Sequence, residues 1–135
     1  MEEFKRKAEL LLEQCDSVVL ASVDENGYPR PVSMSKVKNE GITTIWFSTG
    51  TYSEKTKHFG VNPKAGVCFQ KEINSVVLTG DIEVVTDKAE KDALWQGWFI
   101  QHFPGGKDDP TYCVLKFTAK RATYWLDFKF EHAEL

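Results

Sequence analysis

The sequence lacks the usual marks of a metal site, a disulfide framework or a membrane span. Its three cysteines, Cys15, Cys68 and Cys113, are odd in number and lie far apart. This spacing fits neither metal ligation nor a disulfide framework and favours a reducing compartment. The three histidines form no metal-binding pair. No run approaches the roughly 20 apolar residues of a membrane-spanning helix.

The charge balance excludes further classes of partner. The 135 residues carry a formal net charge of -3, which gives no reason to expect binding to nucleic acid or to an anionic membrane. The opening residues, Met1–Arg6, include charges of both signs and no apolar signal core, so a cytoplasmic location is expected. The length predicts a single domain over residues 1–135.

Hydrophobic periodicity and turn signals predict a mainly β fold with peripheral helices. Helices are predicted over Glu2–Gln14, from Ser53 to Asn62, and from Asp87 to about Ile100. Strands are predicted over Ser17–Val23, Tyr28–Val37, Ile42–Phe47, Ala65–Gln70, Ser75–Thr86, Thr111–Phe117 and Ala122–Leu126, with turns at Asp24–Gly27 and Lys38–Gly41. The order favours an antiparallel barrel of six or seven strands. Gly80, inside the longest strand, indicates a bulge or a close approach of two backbones.

The arm Tyr28–Val37 is unusual for a strand because Pro29 and Pro31 cannot donate hydrogen bonds to a neighbour. It is therefore predicted to be an edge strand or a bulged segment. Its cations and hydroxyls could bind a ligand. Alternatively, the prolines and lysine protect an exposed edge against aggregation.

A second polar segment follows the strand that ends at Phe47. Ser48 to Thr51 turns the chain, and Ser53 is a favourable N-cap for the next helix. Hydroxyls, the first N–H groups of that helix, and Lys55 and Lys57 therefore meet at one corner, which suits an anion such as phosphate. The alternative is an ordinary strand–turn–helix unit with solvated lysines.

Aromatic residues are concentrated in the third predicted helix. Trp95, Trp98 and Phe99 provide more apolar surface than the adjoining sheet obviously needs. This surface predicts a contact with a barrel end or with a second subunit.

Several motifs, in this order, resemble the pyridoxamine 5′-phosphate oxidase-like flavin-binding split barrels. They are Gly-x-Pro-Arg-Pro-Val-Ser-Met at 27–34, Phe-Ser-Thr at 47–49, Ser-x-Lys at 53–55, Asn-Pro at 62–63, and Gly80. Trp95, the segment Phe103–Pro110 and the segment Ala122–Trp125 resemble the general stress protein branch of this family.

The resemblance implies a homodimer with flavin mononucleotide (FMN) bound in clefts at the subunit interface. Arg30 and Lys55 match phosphate partners, while Ser75 and Trp125 match positions that reach the flavin of the other subunit. The full set of implied cofactor residues is Arg30, Pro31, Val32, Ser33, Met34, Ser35, Lys36, Ser48, Thr49, Ser53, Lys55, Ser75 and Trp125.

Two departures from the family pattern qualify this expectation. Glu54 stands where relatives often have arginine, so one phosphate cation is missing unless Lys36 or Lys57 replaces it. The chain after Trp125 contains no arginine, whereas authentic pyridoxamine phosphate oxidases use an Arg-x-His-x-Arg segment there to hold substrate. The resemblance therefore implies an FMN protein that does not oxidise pyridoxamine 5′-phosphate.

The sequence identifies no catalytic residue, and three hypotheses remain. The first is an FMN-dependent oxidoreductase, in which the cofactor supplies the chemistry. The second is a non-catalytic flavin-binding or stress-response protein. The third is the same barrel with another cofactor, such as haem or deazaflavin, or with none. For haem, the only candidate histidine ligands are His58, His102 and His132.

Overall fold

The computed structural model describes residues 2–135, which form three α-helices, eight strands and two 3₁₀ helices. The helices are α1 (Glu2–Glu13), α2 (Glu54–Val61) and α3 (Lys88–Leu94). The strands are β1 (Ser17–Val23), β2 (Pro29–Ser35), β3 (Lys38–Glu40), β4 (Thr44–Gly50), β5 (Lys64–Lys71), β6 (Asn74–Val85), β7 (Tyr112–Leu126) and β8 (Lys129–Glu134). The 3₁₀ helices span Gly97–Gln101 and Gly106–Asp108. No helix within residues 2–135 is long and apolar enough to cross a membrane.

All neighbouring strands pair antiparallel, in the order β2-β1-β5-β6-β7-β4-β3, and β8 pairs with β7 off this path. The predicted class, a mainly β antiparallel split barrel with peripheral helices, is confirmed. The path has the predicted number of strands, and β8 adds one more. The prolyl arm β2 lies at one end of the path, as expected for a strand with two residues that cannot donate.

The core has two parts on opposite faces of the sheet. The main cluster fills the barrel and includes Leu20, Phe47, Leu78 and Phe117. The second lies on the other face of β4 and β7, where Trp46, Val114 and Tyr112 pack with side chains of α3 and the first 3₁₀ helix. β4 and the first half of β7 are buried on both faces, which explains why their sequences are apolar without strict alternation.

The predicted irregularity at Gly80 is confirmed. The register between β6 and β7 shifts between Thr79 and Gly80. A Cβ on Gly80 would lie 2.9 Å from the Cα of Ala119, closer than side chains tolerate. Glycine therefore permits the close approach that lets both long strands continue through the bulge.

Two predicted boundaries around β4 are wrong. Residues Lys38–Glu40 form the short strand β3 rather than a turn, and β4 begins at Thr44 and continues to Gly50. The polar residues at the end of β4 remain in the sheet because they pair with Cys113 and Tyr112 of β7. Local composition predicted a turn where tertiary pairing extends the strand.

The two predicted closing strands are one continuous strand, β7, and the hairpin to β8 was not predicted. The polar residues Lys120 and Arg121 resemble a break but lie at the bulge of an unbroken strand. The turn into β8 places Asp127 at φ 54° and Phe128 at φ 65°. These left-handed residues are not glycine, so the usual Asn-Gly or Asp-Gly signal for a hairpin is missing.

The third helix is also shorter than predicted. It ends at Leu94, Trp95 is extended (φ -62°, ψ 135°), and the chain resumes as a 3₁₀ helix at Gly97. Trp95 and Phe99 pack against Tyr112 with ring centroids 5.2 and 6.0 Å apart. The argument for a subunit contact from these aromatics is therefore wrong for Phe99, which is 0% exposed, while Trp98 remains 47% exposed.

Replacing Gly80 with alanine should lower the free energy of unfolding by about 1–3 kcal/mol, because the added methyl group collides with the β7 backbone. Urea unfolding followed by circular dichroism measures this loss. The matched control is Gly60→Ala in α2, where an added Cβ meets nothing within 4 Å. This control should be as stable as the parent or slightly more stable. Equal stability of both variants would contradict the close approach at Gly80.

Candidate functional site

The site is built around a buried network of hydroxyl groups where β4 meets α2. The hydroxyl of Thr56 donates to the carbonyl of Gly50 over 2.9 Å, and its oxygen lies 2.7 Å from the hydroxyl of Ser53. The hydroxyl of Thr49 lies 3.4 Å from Ser53 Oγ. Since Thr49 and Thr56 are buried, these bonds fix where the helix begins relative to the strand.

Ser53 caps α2, as the sequence predicted. Its backbone is extended (φ -68°, ψ 150°), and its Oγ accepts the N–H of Thr56 over 3.3 Å. The N–H groups of Glu54 and Lys55 belong to the first turn, where intrahelical partners do not exist. Together with the positive end of the helix dipole, they give this corner a preference for anions.

A cavity of about 410 Å³ opens beside this network. We call it the corner cavity. It lies between the end of β2, the end of β4, the start of α2 and the first 3₁₀ helix. The predicted site residues that line it are Ser33, Met34, Ser35, Ser48, Thr49, Ser53 and Lys55. The fold thus brings the prolyl arm and the Ser-Thr segment, separate in sequence, to one opening.

Lys55 supplies a cation to this cavity. It is half-buried, and burial lowers its pKa, with a further lowering by the positive charge of Arg30. Both causes disfavour a charged lysine without a partner, so an anion placed next to Lys55 would relieve them. Lys57, two residues on, is exposed and does not line the cavity.

Arg30 is close to this corner but does not line the cavity. Its Nε lies 3.3 Å from Oε2 of Glu54, the first residue of α2. The residue that departs from the family pattern therefore forms an ion pair with one of the two predicted phosphate cations.

Other predicted residues of the prolyl arm lie outside the corner cavity. Pro31 is exposed, Val32 is half-buried, and the Nζ of Lys36 donates to Asn39 over 2.9 Å. The bond to Asn39 holds Lys36 at β3 rather than at the start of α2.

Ser75 and Trp125 also lie away from the corner cavity but next to each other, as paired residues of β6 and β7. The ring of Trp125 contacts Phe130, with centroids 5.4 Å apart. Within one chain these two predicted residues therefore form a separate group.

Sequence reasoning missed the aromatic wall of the cavity, formed by Trp98, Phe99, His102 and Phe103. Asp109 holds the loop that follows this wall: its carboxylate accepts the N–H groups of Gly105 and Thr111 over 3.0 and 2.9 Å. The hydroxyl of Thr111 also donates to this carboxylate over 2.7 Å, and this bond, followed by the two from the N–H groups, lowers the pKa of Asp109. The sequence shows that aromatic residues are concentrated in this segment, but it does not show which strand they cover.

A chain of three polar residues, also missed, ties α2 to β1. Ser22 Oγ lies 2.8 Å from His58 Nδ1, and His58 Nε2 lies 3.5 Å from Glu25 Oε2. The order resembles the relay of a serine hydrolase, but Ser22 is only 2% exposed and sits within a paired strand. We interpret the chain as a tether for the helix that carries Lys55. His132, near Thr123 at 3.1 Å, does not line the cavity, which leaves His102 as the histidine that does.

The curled antiparallel sheet and its corner cavity define a split-barrel protein. The profile described as "Pyridoxamine 5'-phosphate oxidase like" matches residues 3–131, and the chain belongs to this family. No curated protein matches the sequence.

Solved structures show the same fold over nearly the whole chain. A Clostridium acetobutylicum protein related to general stress protein 26 of the pyridoxinephosphate oxidase family is 30% identical, with a TM-score of 0.89 over 100% of this chain and 96% of that one. General stress protein 26 of Bacillus anthracis is 19% identical, with a TM-score of 0.79 over 97% and 98% of the two chains. A heme binding protein of Mycobacterium smegmatis is 13% identical, with a TM-score of 0.77 over 96% and 57%, which shows likeness of fold alone.

The family resemblance implies FMN as the ligand of this corner. Replacing Lys55 with alanine should then weaken FMN binding about 10–150-fold, because a charge-assisted hydrogen bond to phosphate contributes about 1.5–3 kcal/mol. Quenching of FMN fluorescence measures the affinity. Lys57→Ala removes the same charge from an exposed position of the same helix and should change the affinity less than about threefold. If the Lys55→Ala variant folds and binds FMN with the parent's affinity, the prediction is wrong and Lys55 is an ordinary surface charge.

Proposed function

We propose that this protein binds FMN in the corner cavity and acts as a flavin-dependent oxidoreductase on a small substrate. One observation carries the proposal: a single cavity combines an anion-binding helix start with an aromatic wall. Flavin is the common cofactor of the family. FMN has the matching parts, one phosphate and one flat ring system.

The residues present fit FMN at both ends. At the helix start, the ammonium of Lys55 and the first N–H groups of α2 would donate to the phosphate. Thr49, which has the longest contact in the hydroxyl network at 3.4 Å, could turn toward the same group. Polar residues at the end of β2 and the aromatic wall would hold the ribityl chain and the ring.

The flavin would supply hydride or electron transfer, and the protein would supply placement. Lys55 binds and orients the phosphate, while Trp98 and Phe103 exclude water from one side of the cavity. A small corner with one phosphate position favours FMN over a dinucleotide.

We also propose a homodimer, formed through the outer face of the sheet rather than the aromatic helix. We define the outer face as the side chains of β1, β5, β6, β7 and β8 that point away from the main core. Two rows of paired positions across it contain no Lys, Arg, Asp or Glu: Val19, Cys68, Val77, Thr123 and His132, and then Ser75, Trp125 and Phe130. The row on the other side of the first one ends in the ion pair of Arg121 with Glu134.

The exposure of this face supports the dimer. Val77 is 42% exposed and Phe130 63% exposed, and such apolar patches usually mark an interface. A depression of about 630 Å³ lined partly by Ala21, Gly66 and Gly80 gives a partner a concave surface to fill. A dimer built here would also explain why Ser75 and Trp125 lie apart from the corner cavity, because they would contact the ligand of the other subunit.

Haem remains the second candidate because His102 lines the cavity and could serve as an axial ligand. The heme binding protein of Mycobacterium smegmatis supports the compatibility of the fold only.

We do not propose oxidation of pyridoxamine 5′-phosphate. After Trp125 the chain forms β8, which carries Lys129 and His132 but no arginine. Lysine cannot provide the bidentate grip that arginine gives a phosphate.

Purified protein should be yellow or become yellow with FMN, and heat should release FMN as the main flavin. Chromatography of the released cofactor identifies it, and a pyridine haemochrome assay provides the control for haem. Reduction of the bound flavin by a nicotinamide cofactor, with reoxidation by an added acceptor, would favour the oxidoreductase over a flavin store. Release of FAD or haem would contradict the assignment.

Light scattering should give about twice the chain mass of 15.4 kDa at micromolar concentration. Val77→Asp should shift the protein toward monomer, since it places a charge within the uncharged rows of the outer face. The matched control is Val61→Asp, which introduces the same charge at an 89% exposed residue of α2 and should leave the mass unchanged. A monomeric parent, or a dimer that tolerates Val77→Asp, would refute this interface.

A further inference from the structure

The ion pair between Arg30 and Glu54 joins the edge strand β2 to the first turn of α2. The guanidinium Nε and the carboxylate Oε2 are 3.3 Å apart, with the side chains 39% and 70% exposed. Lys55 follows directly in sequence. Burial lowers the pKa of Lys55, and the nearby charge of Arg30 lowers it further. Three charged side chains therefore lie close together beside the corner cavity, and Lys55 is the one that lines it.

The charges of this group match a phosphate dianion poorly. Arg30 and Lys55 contribute two positive charges, and Glu54 cancels one of them. Glu54 also lies in the first turn of α2, where a carboxylate is stabilised by the same helix-dipole field that would attract a phosphate. The carboxylate of Glu54 therefore already interacts with part of the positive potential that would attract the phosphate of the ligand.

We infer that Glu54 competes with the phosphate of the bound flavin for Arg30 and thereby keeps the cofactor weakly held and exchangeable. The inference rests on the proposed function, since it concerns the affinity of the same cavity. An exposed ion pair of this kind is weak, so a phosphate can displace Glu54 from Arg30. The displaced carboxylate stays next to Lys55 in the same helical turn and continues to repel the bound phosphate.

This competition affects the preference of the cavity between FMN and riboflavin as well as its affinity for FMN. A ligand without phosphate, such as riboflavin, gains nothing from Arg30 and is not repelled by Glu54 to the same degree. Removal of the carboxylate should therefore strengthen the binding of FMN but not of riboflavin. The ratio of the two affinities measures how much of the phosphate's attraction Glu54 cancels.

Glu54→Gln is expected to bind FMN about 3- to 10-fold more tightly than the parent, with riboflavin affinity unchanged within about twofold. Quenching titrations of both flavins at low salt measure these constants. In an Arg30→Gln background, Glu54→Gln should give less than about half of that gain, because the competition acts through Arg30. High salt should reduce the gain for FMN, since the exposed charges are then screened.

The matched control is Glu83→Gln, which removes the same charge from an exposed position of β6 that does not line the cavity. It should bind both flavins like the parent, and thermal melting should show that all variants fold. If the parent binds FMN and Glu54→Gln binds it equally or less tightly, the inference is wrong while the proposed function stands. An equal gain in the Arg30→Gln background also refutes it. If neither the parent nor Glu54→Gln binds FMN, both fail.

Discussion

The hydroxyl network between β4 and α2 fixes the geometry on which the rest of the site depends. Thr56 donates to the carbonyl of Gly50 and contacts Ser53, which in turn caps the helix. Buried hydroxyl groups without partners are costly, so this arrangement has few alternatives. It places the start of α2, with Ser53 and Lys55, at the wall of the cavity. The tether from Ser22 to His58 holds the same helix from its other end.

Much of the fold could be predicted because local rules and tertiary structure agree. The turn at Asp24–Gly27, the edge position of the prolyl arm and the irregularity at Gly80 each follow from backbone chemistry. The incorrect predictions concern segments whose structure is determined by tertiary contacts rather than by local sequence. β7 continues through a polar bulge, and the turn before β8 uses left-handed residues other than glycine. No local sequence pattern predicts the continuous strand or this turn.

The candidate site likewise contains some residues that could be predicted from the sequence and others that could not. Ser53 and Lys55 could be located from the sequence because an N-cap and a helix start have recognisable chemistry. The aromatic wall could not, since its position depends on the break after Leu94 and on the loop held by Asp109. The two uncharged rows of the outer face were also invisible, because their residues come from five strands and line up only once the register of those strands is known. Register is a property of the whole sheet rather than of any one strand.

The most direct measurement is a crystal structure of the protein grown with FMN. The account predicts phosphate density within hydrogen-bonding distance of Lys55 Nζ and of the first N–H groups of α2, with the ring lying between β2 and the aromatic wall. It also predicts that Trp125 of a second copy contacts the flavin. Density for FMN elsewhere, for example in the depression beside Gly66, or a phosphate out of reach of Lys55, would contradict the assignment of the corner cavity.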